Sequence, residues 1–332
     1  MSDTIDLPRV VSDEAVPQPL VLPEDVSAED QVFRWGVRLA GYGVLVLLFL
    51  IGLFLFLQGL PAFRRIGFRF FTSSGFDTLG RHPVYGVAAS LVGTIEVASV
   101  AIVVGAPVAI ATALFLSEYA PAWSRRSLIA LVDLAAAIPS IIYGLWAVFE
   151  LQDNVVGFST WLSRHLAFVP FFKVTSPPLN ASLFIAGLVV GLMIVPIVAS
   201  ICREVFSLAP AGEREAALAL GASRWQMIRS VVLPFGRGGM IGAVMLGLGR
   251  ALEETIAVAI ILGGAFTISP HILQHGGSTI SQLIAVNFGS GGQLGLQDLL
   301  FCGFVLFVLT LVINLAASAI VNRSRSGAGV DL

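Results

Sequence analysis

Residues 181–201 read ASLFIAGLVVGLMIVPIVASI, a stretch without one charged side chain, and Cys202-Arg203-Glu204 follow at once. Coiled as a helix at about 1.5 Å per residue, such a stretch is roughly 30 Å long, which matches the hydrocarbon core of a bilayer. The abrupt return to charge at Arg203 marks where that helix meets water. The composition agrees, with 56% hydrophobic and 12% charged residues and a mean hydropathy of +0.90 over 332 residues. A water-soluble enzyme cannot carry that much apolar surface.

Five further runs reach spanning length, at about 37–60, 91–116, 127–149, 239–264 and 299–321. The sequence therefore predicts an all-α, polytopic membrane bundle of six helices over residues 34–325. Pro107, Pro139 and Pro196 fall inside three of the runs and predict kinks, since neighbouring helices can satisfy the carbonyls a proline leaves free. Residues 1–33 hold eight Asp or Glu, four Pro and a single Arg9. That tail is expected to be disordered and cytoplasmic, and it lacks the basic start and apolar stretch of a secretory signal.

Basic residues beside the spans give the orientation. With the N-terminus inside, twelve arginines face the cytoplasm, and six basic residues (Arg64, Arg65, Arg69, Arg81, Arg164, Lys173) face out. Both termini are then cytoplasmic. The four arginines of the first outer loop run against that rule and read equally as a basic surface toward an anion or a partner. Residues 151–180, with Trp161, Phe168, Phe171 and Phe172, suit a segment lying at the membrane surface. His271 and His275 stand four apart, but Pro270 and Gly276-Gly277 argue against a helix that presents both to a metal. Cys202 and Cys302 show no paired spacing, so neither a disulfide scaffold nor a structural metal is expected.

The loop 203–237 carries most information, because it reads as two short helices joined by a corner. Glu213 to Leu220 are strong helix formers between Pro210 and Gly221. Ser223 is a candidate N-cap for a second helix with Trp225, Ile228 and Val232 on one face, ending at Pro234. A knob with an apolar tip suits a groove on another protein. A surface helix pair packed beneath the bundle fits the periodicity equally well.

Glu215-Ala216-Ala217, three residues, Gly221, nine residues, and Val231-Val232-Leu233-Pro234 resemble the E-A-A-x3-G-x9-I-x-L-P signature of ABC importer permeases, with Val231 in place of the usual Ile. The resemblance implies that Glu215, Ala216, Ala217, Gly221, Ala222, Ser223, Leu233 and Pro234 belong to a coupling helix that docks on a cytoplasmic ATPase. Ser117-Glu118-Tyr119-Ala120-Pro121, Ala137 to Gly144, Arg203 to Phe206 and Gly247 to Leu252 are similar to the phosphate-specific (Pst) importers, and within them to the PstC type. That likeness spans roughly residues 35–322 and implies a type I ABC importer permease of the bacterial inner membrane. It also implies a second related permease chain, two cytoplasmic ATPase subunits that bind the ATP and magnesium, an extracytoplasmic phosphate-binding protein, and inorganic phosphate as cargo. No nucleic acid partner and no cofactor in this chain are expected. No G-x-x-x-x-G-K-[ST] pattern occurs, and Lys173 is the sole lysine. Since the signature does not name cargo, a permease for sulfate or molybdate stays open, as do an ATP-independent channel or carrier and a reporter of phosphate status.

Arg250 lies inside the fifth run, at a cost on the order of 3 kcal/mol in lipid. Glu253 and Glu254 follow at helical spacings three and four, so a carboxylate can offset that charge. Arg250, Glu254 and Glu253 are the candidate substrate-pathway residues. Glu253 replaces the glycine of the family's G-R-A-x-G-E-T pattern, and two carboxylates beside one guanidinium leave a net charge that repels an anion. Either one carboxyl is protonated or a partner adds a base. Glu96 and Asp133 also fall within spans and read as structural hydrogen-bonding groups.

Overall fold

The computed structural model describes residues 28–77, 84–174, 179–264, 271–289 and 292–325. Twelve α-helices are described: α1 Ala28–Ile66, α2 Ala88–Leu114, α3 Ala122–Ala136, α4 Ser140–Trp146, α5 Gln152–His165, α6 Leu183–Ser207, α7 Ala211–Ala219, α8 Arg224–Met227, α9 Leu233–Glu253, α10 Ile256–Leu262, α11 Ile280–Asn287 and α12 Gly292–Arg325. Against this helical background, β1 Phe76–Asp77 and β2 Val84–Tyr85 form a minimal antiparallel pair, with Phe76 opposite Tyr85.

By contacts the chain divides into residues 1–51 and 52–332. In the first unit the described residues are the leading part of α1, and its large apolar side chains from Val32 to Ile51 are exposed. Helix α1 starts at Ala28, so residues 28–33 are helical and not part of a disordered tail. The rest of that acidic tail, like Arg9 and Arg81, lies outside the described residues.

In the second unit α2 and α6 form the central pair. They approach so closely that a Cβ on Gly105 would stand 2.7 Å from the Gly191 carbonyl oxygen. In lipid, where apolar helices gain little from leaving their surroundings, small residues at such crossings let packing forces act at short range. One apolar cluster fills the middle, around Val97, Ala101, Ile185, Val189, Ile194 and Leu252. A second, with Ala109, Cys202, Phe206, Ile228 and Val232, lies at the end that carries α7 and α8. A third joins Ala62, Phe70, Leu283, Phe301 and Cys302 at the opposite end.

Five helical stretches are long and apolar enough to cross a membrane, and a sixth is a pair of helices, Ala122–Ala136 and Ser140–His165, bent by 89°. The run 127–149 is therefore broken at Pro139, where a mere kink was expected. Proline supplies no N–H to the turn before it. The chain turns out of α3, and the next helix starts with Ile142 N donating to the Pro139 carbonyl at 3.0 Å. Tyr143 Oη donates to the Ala135 carbonyl across the break at 3.0 Å, satisfying an acceptor that the missing turn leaves free. By contrast Pro107 and Pro196 sit inside the unbroken α2 and α6. The segment after 151 is also helical, since α5 continues the bent pair to His165 and exposes Phe158 and Trp161 on one side.

Candidate functional site

The fifth apolar run is two helices, because α9 stops at Glu253 and α10 starts at Ile256. Glu254 stands between them with φ −64° and ψ 125°, an extended conformation that interrupts the helical hydrogen bonds. Backbone groups freed at membrane depth need partners. Thr255 Oγ1 donates to the Glu253 carbonyl at 2.9 Å, and Ser281 Oγ, from α11, donates to the Glu254 carbonyl at 2.7 Å. The Ala257 N–H of α10 donates to Glu254 Oε1 at 3.4 Å.

Arg250 therefore sits in the last turn of α9, beside a break, and not midway along a continuous helix. Its Nη2 lies 3.6 Å from Glu254 Oε2, with the arginine side chain half exposed and the glutamate side chain 3% exposed. Glu254 divides its oxygens, one for the α10 backbone and one for the guanidinium. Glu253 is exposed, and among the described residues it has no ion-pair partner. Among the described residues Glu254 is the carboxylate that pairs with Arg250.

Ser281 belongs to a hydroxyl-rich entry into α11 that holds the break in place. Thr279 caps α11 reciprocally with Gln282, Ile280 N donates to Thr94 Oγ1 at 3.0 Å, and Ser90 Oγ donates to Ser278 Oγ at 3.2 Å. Sequence reasoning missed this support, although Thr279-x-x-Gln282 carries the signature of a capping box.

At the other end, α7 and α8 make the elbow. Helix α7 closes with Gly221 N donating to the Leu218 carbonyl at 3.0 Å and Ala222 N to the Ala217 carbonyl at 3.1 Å. This Schellman closure needs a left-handed residue, and Gly221 supplies φ +86°. Ser223 accepts from Gln226 N, and Gln226 Oε1 accepts from Ser223 N, so α8 begins in a full capping box. Glu215 and Ala216 are exposed on α7, whereas Ala217 and Leu233 pack against the cluster around Phe206. Leu220 is 89% exposed at the corner, next to the exposed Leu218 and Trp225. Met227, Ile228 and Val232 are buried under α2 and α6. The elbow thus combines the two sequence readings: one face anchors it and the other projects.

Pro234 does not end the second helix, as the sequence suggested. It occupies the first turn of α9, and a π-helical turn over Ile228–Val232 connects α8 to α9. Proline is tolerated in a first turn, and the wider turn before it absorbs the missing donor.

The remaining candidates fall elsewhere. His271 Nδ1 lies 3.0 Å from the Pro170 carbonyl and His275 Nδ1 3.0 Å from the Asn180 carbonyl, so each ring meets a different loop. Asp133 is exposed on α3. Glu96, expected to be held by hydrogen bonds, has its buried Oε2 without a hydrogen-bond partner among the described residues.

The family model described as "Binding-protein-dependent transport system inner membrane component" matches residues 105–326, from within α2 through α12. The chain belongs to this family. Among its curated relatives, the phosphate transport system permease protein PstC 2 of Mycobacterium tuberculosis is 40% identical over 323 residues, covering 94% of this chain and 100% of the relative. The phosphate transport system permease protein PstC of Mycobacterium leprae is 41% identical over 279 residues, 83% of this chain and 88% of its own length. A solved bacterial ABC transporter involved in the import of the acidic polysaccharide alginate shares the fold, with a TM-score of 0.57 at 20% identity over 88% of this chain and 96% of that one. Members of this inner membrane family are transporter permease subunits, and the elbow and the broken fifth stretch both lie within the matched residues.

Proposed function

We propose that the chain is the permease subunit of an ATP-driven phosphate importer in the bacterial inner membrane and forms half of the translocation pathway. The observation that carries this reading is the full-length likeness to PstC permeases together with a guanidinium beside a helix break. Both termini are cytoplasmic, which places the elbow inside the cell and the α1–α2 and α10–α11 connections outside. A second, related permease chain completes the pathway, and a binding protein delivers phosphate from outside. The elbow docks its exposed Leu218, Leu220 and Trp225 on one of two ATPase subunits, which hold the ATP and magnesium.

Arg250 is the anion contact on the pathway. In the empty state Glu254 Oε2 occupies the guanidinium. Phosphate offers oxygens in the geometry an arginine fork accepts, and it displaces that carboxylate. Glu254 keeps its bond to the α10 backbone meanwhile, so it returns to Arg250 once the anion has left. With the anion bound, the Glu254 carboxylate loses its counter-charge and keeps only the backbone N–H, which favours its return to Arg250 and the release of the anion.

The test is uptake of labelled phosphate, measured beside sulfate, in cells lacking the chain and complemented with the wild type or Arg250→Gln. The wild type restores phosphate uptake alone, while the variant reaches the membrane, copurifies with the ATPase and transports nothing. Restored sulfate uptake would assign another cargo, and a transporting complex free of any ATPase would remove the ATP-driven reading.

A further inference from the structure

We infer that Arg214 is a positioning residue that carries the elbow's movement into α2 and α6 at once, with Glu118 as its fixed point on α2. This rests on the coupling role proposed above and names the parts through which coupling runs. Arg214 lies on α7, next to the exposed Glu215. Its Nη1 is 3.2 Å from Glu118 Oε1, an ion pair without the alignment of a hydrogen bond, and its Nη2 donates to the Phe206 carbonyl. Glu118 belongs to a π-helical turn, Phe115–Tyr119, that ends the α2 span, and Phe206 lies in the last turn of α6. One guanidinium therefore ties the elbow to the ends of the two central helices.

The surroundings favour transmission over mere decoration. The Glu118 side chain is 6% exposed and that of Arg214 22%, so solvent screens the pair weakly. Helix α7 buries none of its own residues, and apart from partial packing by Ala217 it is held by its junctions and this polar brace. The turn that carries Glu118 is gripped twice more. Arg125 Nη2 donates to the Ser117 carbonyl at 3.1 Å, and the Arg224 guanidinium lies over the Tyr119 ring, 5.5 Å from its centre. Ser117-Glu118-Tyr119 thus contacts α7 through Glu118 and α8 through Tyr119. A lysine at 214 has a single ammonium and keeps the charge without reproducing both planar contacts.

The experiment uses the assembled transporter in proteoliposomes, with phosphate uptake and ATP hydrolysis followed together and ATPase copurification recorded for each variant. In Glu118→Gln and Arg214→Gln, the ATPase copurifies and hydrolysis stays within about twofold of wild type, while phosphate moved per ATP falls about tenfold, a usual size for a coupling contact. Glu118→Asp and Arg214→Lys retain the charge and give intermediate ratios. An unchanged ratio in both glutamine variants would overturn the inference and leave the coupling role of the elbow intact. Loss of the ATPase from these variants would overturn it too, because the pair would then serve docking. If the wild-type chain itself fails to hold an ATPase, the proposed function falls first.

Discussion

Arg65, in the last turn of α1, donates from Nη2 to both carboxylate oxygens of Asp298 at 2.7 and 2.8 Å, and the Asp298 side chain is completely buried near the start of α12. The two residues are 233 positions apart and clamp the first and last helices at the end of the bundle opposite the elbow. Arg65 is thus engaged within the chain, whereas the sequence placed it with the outer basic surface.

Arg65→Ala leaves a buried carboxylate without its counter-charge, so we expect a loss on the order of 3 kcal/mol, the low end of the range because Arg65 is one-third exposed. Thermal unfolding of the purified chain in detergent checks it. Adding Asp298→Asn to that variant recovers part of the loss, and a double variant as weak as the single one would show that charge burial is not the cause.

Arg250→Ala and Arg250→Gln abolish phosphate uptake with normal membrane abundance. Glu254→Gln keeps an oxygen for the Ala257 N–H but gives up the ion pair, so uptake slows severalfold while the α9–α10 break persists. Glu253→Gly leaves uptake close to wild type, since this exposed side chain has no ion pair to lose. Uptake rates at saturating phosphate, normalised to protein in the membrane, separate the three.

Gly221→Val forces a β-branched residue into φ +86°, at a cost of about 2 kcal/mol, and opens the Schellman closure of α7. The elbow then presents its apolar tip in the wrong place. Copurification of the ATPase and phosphate uptake both fall, while Gly221→Asn, which tolerates left-handed backbone, retains most of each.

Gly105→Val pushes side-chain atoms into the Gly191 backbone, where no flexible group can give way. We expect the yield of folded protein to drop severalfold, since α2 and α6 cannot hold their spacing. Gel-filtration recovery after extraction measures this directly.

The apolar runs and the elbow were legible because each depends on local pattern. Summed hydropathy over twenty residues finds a span, and Gly221 and Ser223 write the turn chemistry of the corner in single letters. Summed hydropathy does not, however, register where a span breaks. The halves on either side of Pro139 are both greasy, and Glu254-Thr255 adds two polar residues to a run that remains long enough. Pro234 misled for a related reason, since a π-helical turn lets the helix run on through a residue that usually stops one. Partners remote in sequence were the hardest to see: Arg65 with Asp298, Arg214 with Glu118, and Ser281 with the Glu254 carbonyl each need the folded bundle to meet. The charged pair at 250 and 254 was readable because four residues separate its members, a spacing at which side chains meet, although Glu254 lies just past the end of α9.

The interruption at Glu254 turns one rod into two levers with different allegiances. The longer lever, α9, leans on α6, α2 and α12, and the shorter, α10, leans mainly on α4. Arg250 rides on the first, while the carboxylate that restrains it is fastened to the second through Ala257. Any swivel between them strains the restraint directly, so in the pathway proposed above a change of shape at this knuckle is also a change in how firmly a negative ion is gripped.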